Sequence, residues 1–479
     1  MKKMKFNKYS LFAIITALFI WIILGFSREH LVPFNSSIER ASFLLTGDEP
    51  EYLLAAYSVA HDLDMDLHNN LLEESWKTFW IRPVCGPSHG DFAYFKRVSS
   101  SLSDENKSKW GKKQLLVHRP GTSIIISSVT FFKKNIRWWA YFTISTLTAL
   151  CIFFVTMRLH RHEFPIIFVA LLCAFTVISP PSIFYSNQIF PEIPVSMLFL
   201  LSFVLLLKPS TLNVILASFC IAFSTWFSDR AIFPAIFLGI ACFLLTKGKK
   251  MKSLVLFIFM INAIFLAFYF YRRFGVPYPI HHNPRVSPSL NYIFKGLPGI
   301  LFDRNKGILW LSPMLILSPV AFIMWWKSRL YPKLCFFTGL AFASSLLAVS
   351  SFPDWSGGTC PTGRYGVLFQ WLTLPAFLVW SKSGMNTKQK AMVLFLFFIG
   401  LLQTIFIYDH PNWWYRKYSP IFEYKCLYPI YNVMPDMQTI NKIEVLKVMF
   451  WTFSFALYSL TAYFPVTEII QKICLRKRK

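Results

Sequence analysis

Long apolar runs separated by short polar connections dominate this chain. A helix that crosses a bilayer needs about 20 mostly apolar residues, with a range of roughly 17–25. Runs of that kind, some slightly short, occur near 10–26, 138–157, 164–180, 192–207, 213–228, 231–246, 253–271, 307–326, 334–350, 365–380, 391–407 and 446–464. One further stretch, Thr122–Phe132, is only about half a span, and such lengths more often lie in the interface or re-enter than cross. The pattern predicts an all-α polytopic membrane protein with about 12 transmembrane helices, or about 13 if the 120–132 segment crosses. No internal repeat or low-complexity linker divides it.

Composition agrees. Of 479 residues, 55% are hydrophobic, 18% aromatic and 15% charged, against roughly 25% charged in soluble proteins. Intrinsic disorder is excluded, because it requires low hydrophobicity. Nine cysteines in a chain this long do not make a disulfide framework. The formal charge of +26 need not mean nucleic acid, because basic residues in a membrane protein collect on the cytoplasmic side. If Thr122–Phe132 does not cross, that side receives Lys2, Lys3 and Lys5, Arg158 and Arg161, Lys208, Lys247 to Lys252, Lys327 to Lys333, Lys382 to Lys390, and the basic tail. Only Glu163 and Glu468 join them as acids. Both termini are then inside, at the cost of placing Lys133, Lys134 and Arg137 outside. The first span has no small-x-small cleavage site and reads as an uncleaved anchor.

Three longer loops face outward on this topology, about 27–121, 272–306 and 408–445, with short turns at Ser179–Pro191, Ser228–Arg230 and Ser351–Arg364. No Asp, Glu, Lys or Arg falls mid-span, whereas ion-coupled transporters place ionisable groups near the midplane. Any chemistry is expected at the outer surface.

Several polar groups there have both a structural and a functional reading. Thr46-Gly47-Asp48-Glu49-Pro50-Glu51-Tyr52 suits a helix start, with acids at its positive end. Alternatively, Asp48 points a carboxylate at a reacting hydroxyl, with Tyr52 one turn later on the same face. Asp62, Asp64, Asp66 and Glu73 fall at positions 1, 3, 5 and 12 of a calcium-loop pattern, but Leu67 occupies the position that needs glycine. A solvated acidic turn is the simpler reading, and a divalent ion at these four is the one cofactor the sequence raises. His118-Arg119-Pro120-Gly121 makes an interfacial turn, where Arg119 either snorkels to headgroups or holds a phosphate bidentately. Glu192 opens a span, which is costly for an acid without a partner or cavity. Asp229-Arg230 reads as a local ion pair. His281-His282 is a weak metal pair. Arg304 and Arg364 precede spans, as does Trp355, and Arg119, Arg304 and Arg364 together would suit a membrane-anchored phosphate. Cys85, Cys360 and Cys426 lie outside, and their pairing cannot be read from spacing.

The order of these pieces resembles the GT-C superfamily of polytopic glycosyltransferases, nearest the bacterial protein mannosyltransferase and aminoarabinose transferase group. The likeness runs over about 10–380: a first span, a long loop opening with Gly47-Asp48-Glu49-Pro50-Glu51-Tyr52, then His118-Arg119-Pro120-Gly121, Ser179-Pro180-Pro181 through Glu192, Phe302-Asp303-Arg304 and Gly363-Arg364-Tyr365. It implies a GT-C-like catalytic domain over 1–380 and C-terminal spans over 381–479. The donor would be a polyprenyl-phosphate-linked sugar and the acceptor a cell-envelope lipid, glycan or protein, with inversion at the anomeric carbon. The site would face the periplasmic side of a bacterial inner membrane. Asp48 would be the general base, with Glu49 and Glu192 as accompanying acids. Tyr52 and Arg119 would hold the donor phosphate; from their place on the outer face, and not from the resemblance, Arg304 and Arg364 are expected to join them and His118, His281, His282 and Trp355 to touch sugar or acceptor. Relatives often carry Lys-Pro-Pro or His-Pro-Pro where this chain has Arg119-Pro120-Gly121, and Asp where it has Glu192. The rival expectations are a flippase for lipid-linked sugars and a non-enzymatic assembly subunit.

Overall fold

The computed structural model describes residues 8–31, 49–64, 67, 69–70, 73, 75–78, 119–132, 135–274, 277, 288–304, 306–353, 355, 363–409, 434–437 and 442–463. Every regular element among them is helical. The α-helices are α1 Lys8–Leu31, α2 Glu49–His61, α3 Gly121–Ile126, α4 Ile136–His160, α5 Ile166–Ile178, α6 Ser182–Tyr185, α7 Glu192–Leu206, α8 Thr211–Ser224 and α9 Ile232–Leu245. They continue with α10 Lys249–Phe274, α11 Leu290–Phe302, α12 Ile308–Leu311, α13 Ser318–Ser328, α14 Pro332–Ser350, α15 Gly366–Lys382, α16 Thr387–Asp409 and α17 Lys442–Tyr463. Where hydrocarbon is the solvent, a backbone must satisfy its own polar groups, and helices do so within one segment.

Helices occupy all twelve expected positions. Five are long and apolar enough to cross a membrane by length and composition: those at 10–28, 136–160, 249–272, 332–350 and 387–405. Others are compact. α5, with 13 residues, is about 20 Å long at 1.5 Å per residue. The apolar run at 307–326 is not one helix, but α12, a 3-10 turn at Pro313–Leu317 and α13. Pro313 and Pro319 each open the next piece, because proline lacks the N–H that a continuing helix requires. The Thr122–Phe132 stretch is likewise two short pieces, α3 and a 3-10 turn at Ser127–Phe131. Together they span about 19 Å, well short of a ~30 Å hydrocarbon core.

α7 and α15 form the centre, with nearly every side chain buried, and they pack on each other. α4, α5, α8 and α13 pack around this pair, and α1 lies against α4 and α5. α10 is peripheral and turns Leu256, Phe257, Met260, Ile264, Phe265 and Phe268 outward. An exterior so apolar fits a hydrocarbon solvent and not water. α16 and α17, from the expected C-terminal unit, pack onto α5 and onto α11 and α13 respectively.

The polar groups separate to opposite ends of the bundle. One end holds the starts of α2, α4, α7, α9 and α15, with buried acids and arginines. The other holds the α4–α5 turn and the C-terminal end of α15, where Lys382 donates to the His162 carbonyl.

Candidate functional site

Pro191 delivers the chain into α7, so that Glu192 is its first residue. Gly363 and Arg364 form the turn before α15. Gly363 has φ +83°, and a Cβ there would stand 2.8 Å from Leu311 and 3.2 Å from Pro181. Only glycine meets both demands, and it sets Arg364 across from Glu192. Arg364 Nε donates to Glu192 Oε1 at 2.7 Å, and the guanidinium lies 4.4 Å from the Phe190 ring centre. The two central helices are thus joined at one end by a buried ion pair.

The second carboxylate oxygen of Glu192, Oε2, is buried and has no hydrogen-bond partner among the described residues. The same holds for Arg230 Nε. Arg230 Nη2 donates to the Tyr365 hydroxyl at 2.8 Å, and its guanidinium stacks 4.1 Å from the Tyr365 ring centre. Glu192, Ser228, Arg230 and Tyr365 together line a cavity of about 20 Å³. That volume admits one water or a substrate hydroxyl, with a carboxylate and a guanidinium to receive it.

Asp229 does not pair with its neighbour Arg230. It forms an ion pair with Arg119, whose Nη1 also donates to the Thr225 carbonyl at 2.6 Å and whose guanidinium lies 4.7 Å from the Phe270 ring centre. Arg119 is held there by the turn that follows it. Gly121 N–H donates to the Trp226 carbonyl at 2.8 Å, and a Cβ on Gly121 would meet that oxygen at 2.8 Å. The Arg119–Asp229, Arg230–Tyr365 and Arg364–Glu192 contacts are therefore brought to one end of the bundle by the chain links at 229–230 and 364–365. Among the described residues they bring three guanidinium groups and two carboxylates together. Breaking a buried pair by removing one partner costs about 3–5 kcal/mol, which applies to Glu192 and Arg364 more than to Asp229, whose side chain is 32% exposed.

A second buried network adjoins these contacts. Glu49 Oε1 accepts from the Tyr141 hydroxyl at 2.8 Å and from the Ile189 N–H at 3.0 Å. Arg137 Nε donates to the Tyr141 hydroxyl at 2.7 Å, and Arg137 Nη2 stands 3.7 Å from Glu49 Oε2. Arg28, at the end of α1, donates to Ser145 Oγ at 3.0 Å and lies 4.4 Å from the Trp138 ring centre. Asn187 Nδ2 donates to Ser27 Oγ at 2.7 Å. Sequence reasoning missed Arg28, Arg137, Tyr141, Asn187 and the role of Arg230. Arg137 did carry a signal: a positive charge on the side that the topology rule disfavours needs a partner.

The remaining expectations distribute as follows. Asp48, His118, His281, His282 and Asp66, and Cys85, Cys360 and Cys426, lie outside the described residues. Tyr52 is buried, and its carbonyl accepts from Ser123 Oγ at 3.0 Å, which ties α2 to α3. Arg304 pairs with Asp436, so of the three arginines expected to share a pocket, Arg119 and Arg364 enter the contacts above and Arg304 binds elsewhere. Trp355 is buried against Gly299, where a Cβ would come within 2.7 Å of its ring. Asp62 accepts from Asn70 at 2.7 Å and Asp64 from Ser58 at 2.8 Å, while Glu73 is exposed. These carboxylates cap local turns, and among the described residues no three metal-ligating side chains gather.

No family model, curated protein or solved structure matches this chain.

Proposed function

We propose that this protein is an inverting glycosyltransferase that takes a sugar from a polyprenyl-phosphate donor at the external face of a bacterial plasma membrane. The observation that carries the reading is the buried group at the head of α7 and α15. It gathers Arg119, Arg230 and Arg364 at one end of the bundle, and the cavity between Glu192 and Arg230 offers a carboxylate oxygen without a hydrogen-bond partner among the described residues. In the reaction, the acceptor oxygen bonds to the anomeric carbon as the bond from that carbon to the phosphate oxygen breaks. The acceptor proton passes to a carboxylate, Asp48 in this reading. The departing phosphate gains charge at its leaving oxygen, and cationic groups that bind it most tightly at that moment lower the barrier. Arg119 and Arg364 are the side chains for that role. Glu192 and Arg230 position the acceptor hydroxyl.

The test is transfer from radiolabelled polyprenyl-phosphate sugars to host envelope extracts, using membranes with matched levels of wild type, Asp48→Asn or Glu192→Gln. Asparagine caps a helix as well as aspartate, so helix capping alone predicts full activity in Asp48→Asn. A base at Asp48 predicts a fall of about 10²- to 10⁴-fold. Wild-type transfer that survives both substitutions removes the two acids from the chemistry. Flipping of labelled donor without transfer replaces the enzyme by a transporter.

A further inference from the structure

A second cavity, on the stretch of α14 that precedes Val349, takes no part in the function above. It is a recess of about 320 Å³ walled by α11, α12, the Pro313–Leu317 turn, α13, α14 and α17, with Leu309, Leu315, Phe322, Phe342, Leu346 and Phe455 among its lining. Among the described residues that line it the one polar side chain is Ser318, whose hydroxyl already donates to the Leu315 carbonyl at 2.6 Å. Water needs two to four polar partners to stay in such a place, and an apolar cavity of about 150 Å³ already stays dry and takes up small apolar guests. This recess is about twice that size. Left empty, its walls forfeit their dispersion contacts. Phe322, Phe342, Leu346 and Phe455 are only half-buried, so the recess opens to the exterior. The exterior beside it is apolar too: α14 turns out Phe336 and Leu347, and α17 turns out Met449, Phe450, Phe453 and Leu457. The recess is thus continuous with the surface that faces hydrocarbon.

We infer that this recess holds one acyl chain of a bilayer phospholipid. Gly339, in α14, provides part of the room. A Cβ built there meets nothing closer than Phe322 at 4.0 Å, so a side chain at 339 grows into the space the acyl chain occupies. The bilayer supplies such chains at the mouth of the recess, and a linear chain enters between helices without breaking a hydrogen bond.

The test uses the full-length protein in vesicles of phosphatidylcholine and phosphatidylglycerol doped with a phospholipid carrying a mid-chain diazirine. After illumination, adducts are mapped by mass spectrometry. Wild type and Gly339→Ala should carry adducts on Phe342, Leu346 or Phe455. Gly339→Leu should lose them while keeping those on the outward Phe265 and Phe268 of α10. If Gly339→Leu does not fold, Ser318→Leu fills the same space from α13. Equal labelling of the recess in wild type and both filled variants overturns the inference. So does an unlabelled recess beside a labelled α10, which would leave the space to a segment of this chain.

Discussion

Glu192 and Arg364 supply each other's countercharge at the head of the two central helices. An acid at the start of a span demands a partner, so Glu192 stood out, and Arg364 stood out as a cation at similar depth. Their pairing was not legible, because they are 172 residues apart. Asp229 and Arg230 misled in the opposite way. Successive residues in a 3-10 turn point about 120° apart, so these neighbours diverge, one to Arg119 and the other to Tyr365. His162, at the opposite end of the bundle, gives a pH prediction. Burial holds its pKa below the usual 6.5, helped by the nearby charges of Arg158, Lys382 and Lys208. The folded state therefore resists protonation while the unfolded chain accepts it. Stability contributed by neutral His162 is complete above about 6.5 and is lost as the pH falls from there towards the lowered value. His162→Gln should flatten this part of the pH profile of thermal inactivation between pH 7.5 and 5.5. An unchanged slope would remove His162 as its source.

At the level of elements, apolar runs located the helices but read straight through their interruptions. Pro313 and Pro319 were visible in the run at 307–326, yet hydropathy averages over a backbone break that costs no apolar character. The close approach of α3 to the α8–α9 turn was legible only as the residue type at 121. There the Trp226 carbonyl oxygen leaves no space for a side chain. Gly121→Ala should destabilise the protein by about 1–3 kcal/mol, as overpacking does, and disturb Arg119 two residues before it. Gly339→Ala gains helix propensity without a clash and should keep or raise thermal stability. Heating detergent-solubilised samples and following monodisperse protein separates the two; equal midpoints would discard the close approach at Gly121.

For the whole molecule, ionised groups among the described residues gather at the ends of the bundle, as exclusion from an apolar middle requires, while the side each end faces follows only from the sequence's charge asymmetry. The orientation is testable. With Cys85, Cys360, Cys426 and Cys474 replaced by serine, Asp62→Cys should react with an impermeant maleimide in intact cells, and Lys250→Cys only after lysis. The reverse pattern would turn the molecule over and place the Glu192 group in the cytoplasm. The central pairing of α7 with α15 was not legible, since both runs look like any other span. Nor was the attachment of α1, whose Arg28 binds Ser145, 117 residues later. During synthesis at about 5–20 residues per second, α1 precedes that partner by roughly 6–23 s. Throughout that interval α1 lacks α4, the helix on which it packs, so it must linger beside the insertion machinery. α1 is therefore among the helices that wait before they can be locked in place, and early assembly intermediates should be the ones a quality-control protease meets.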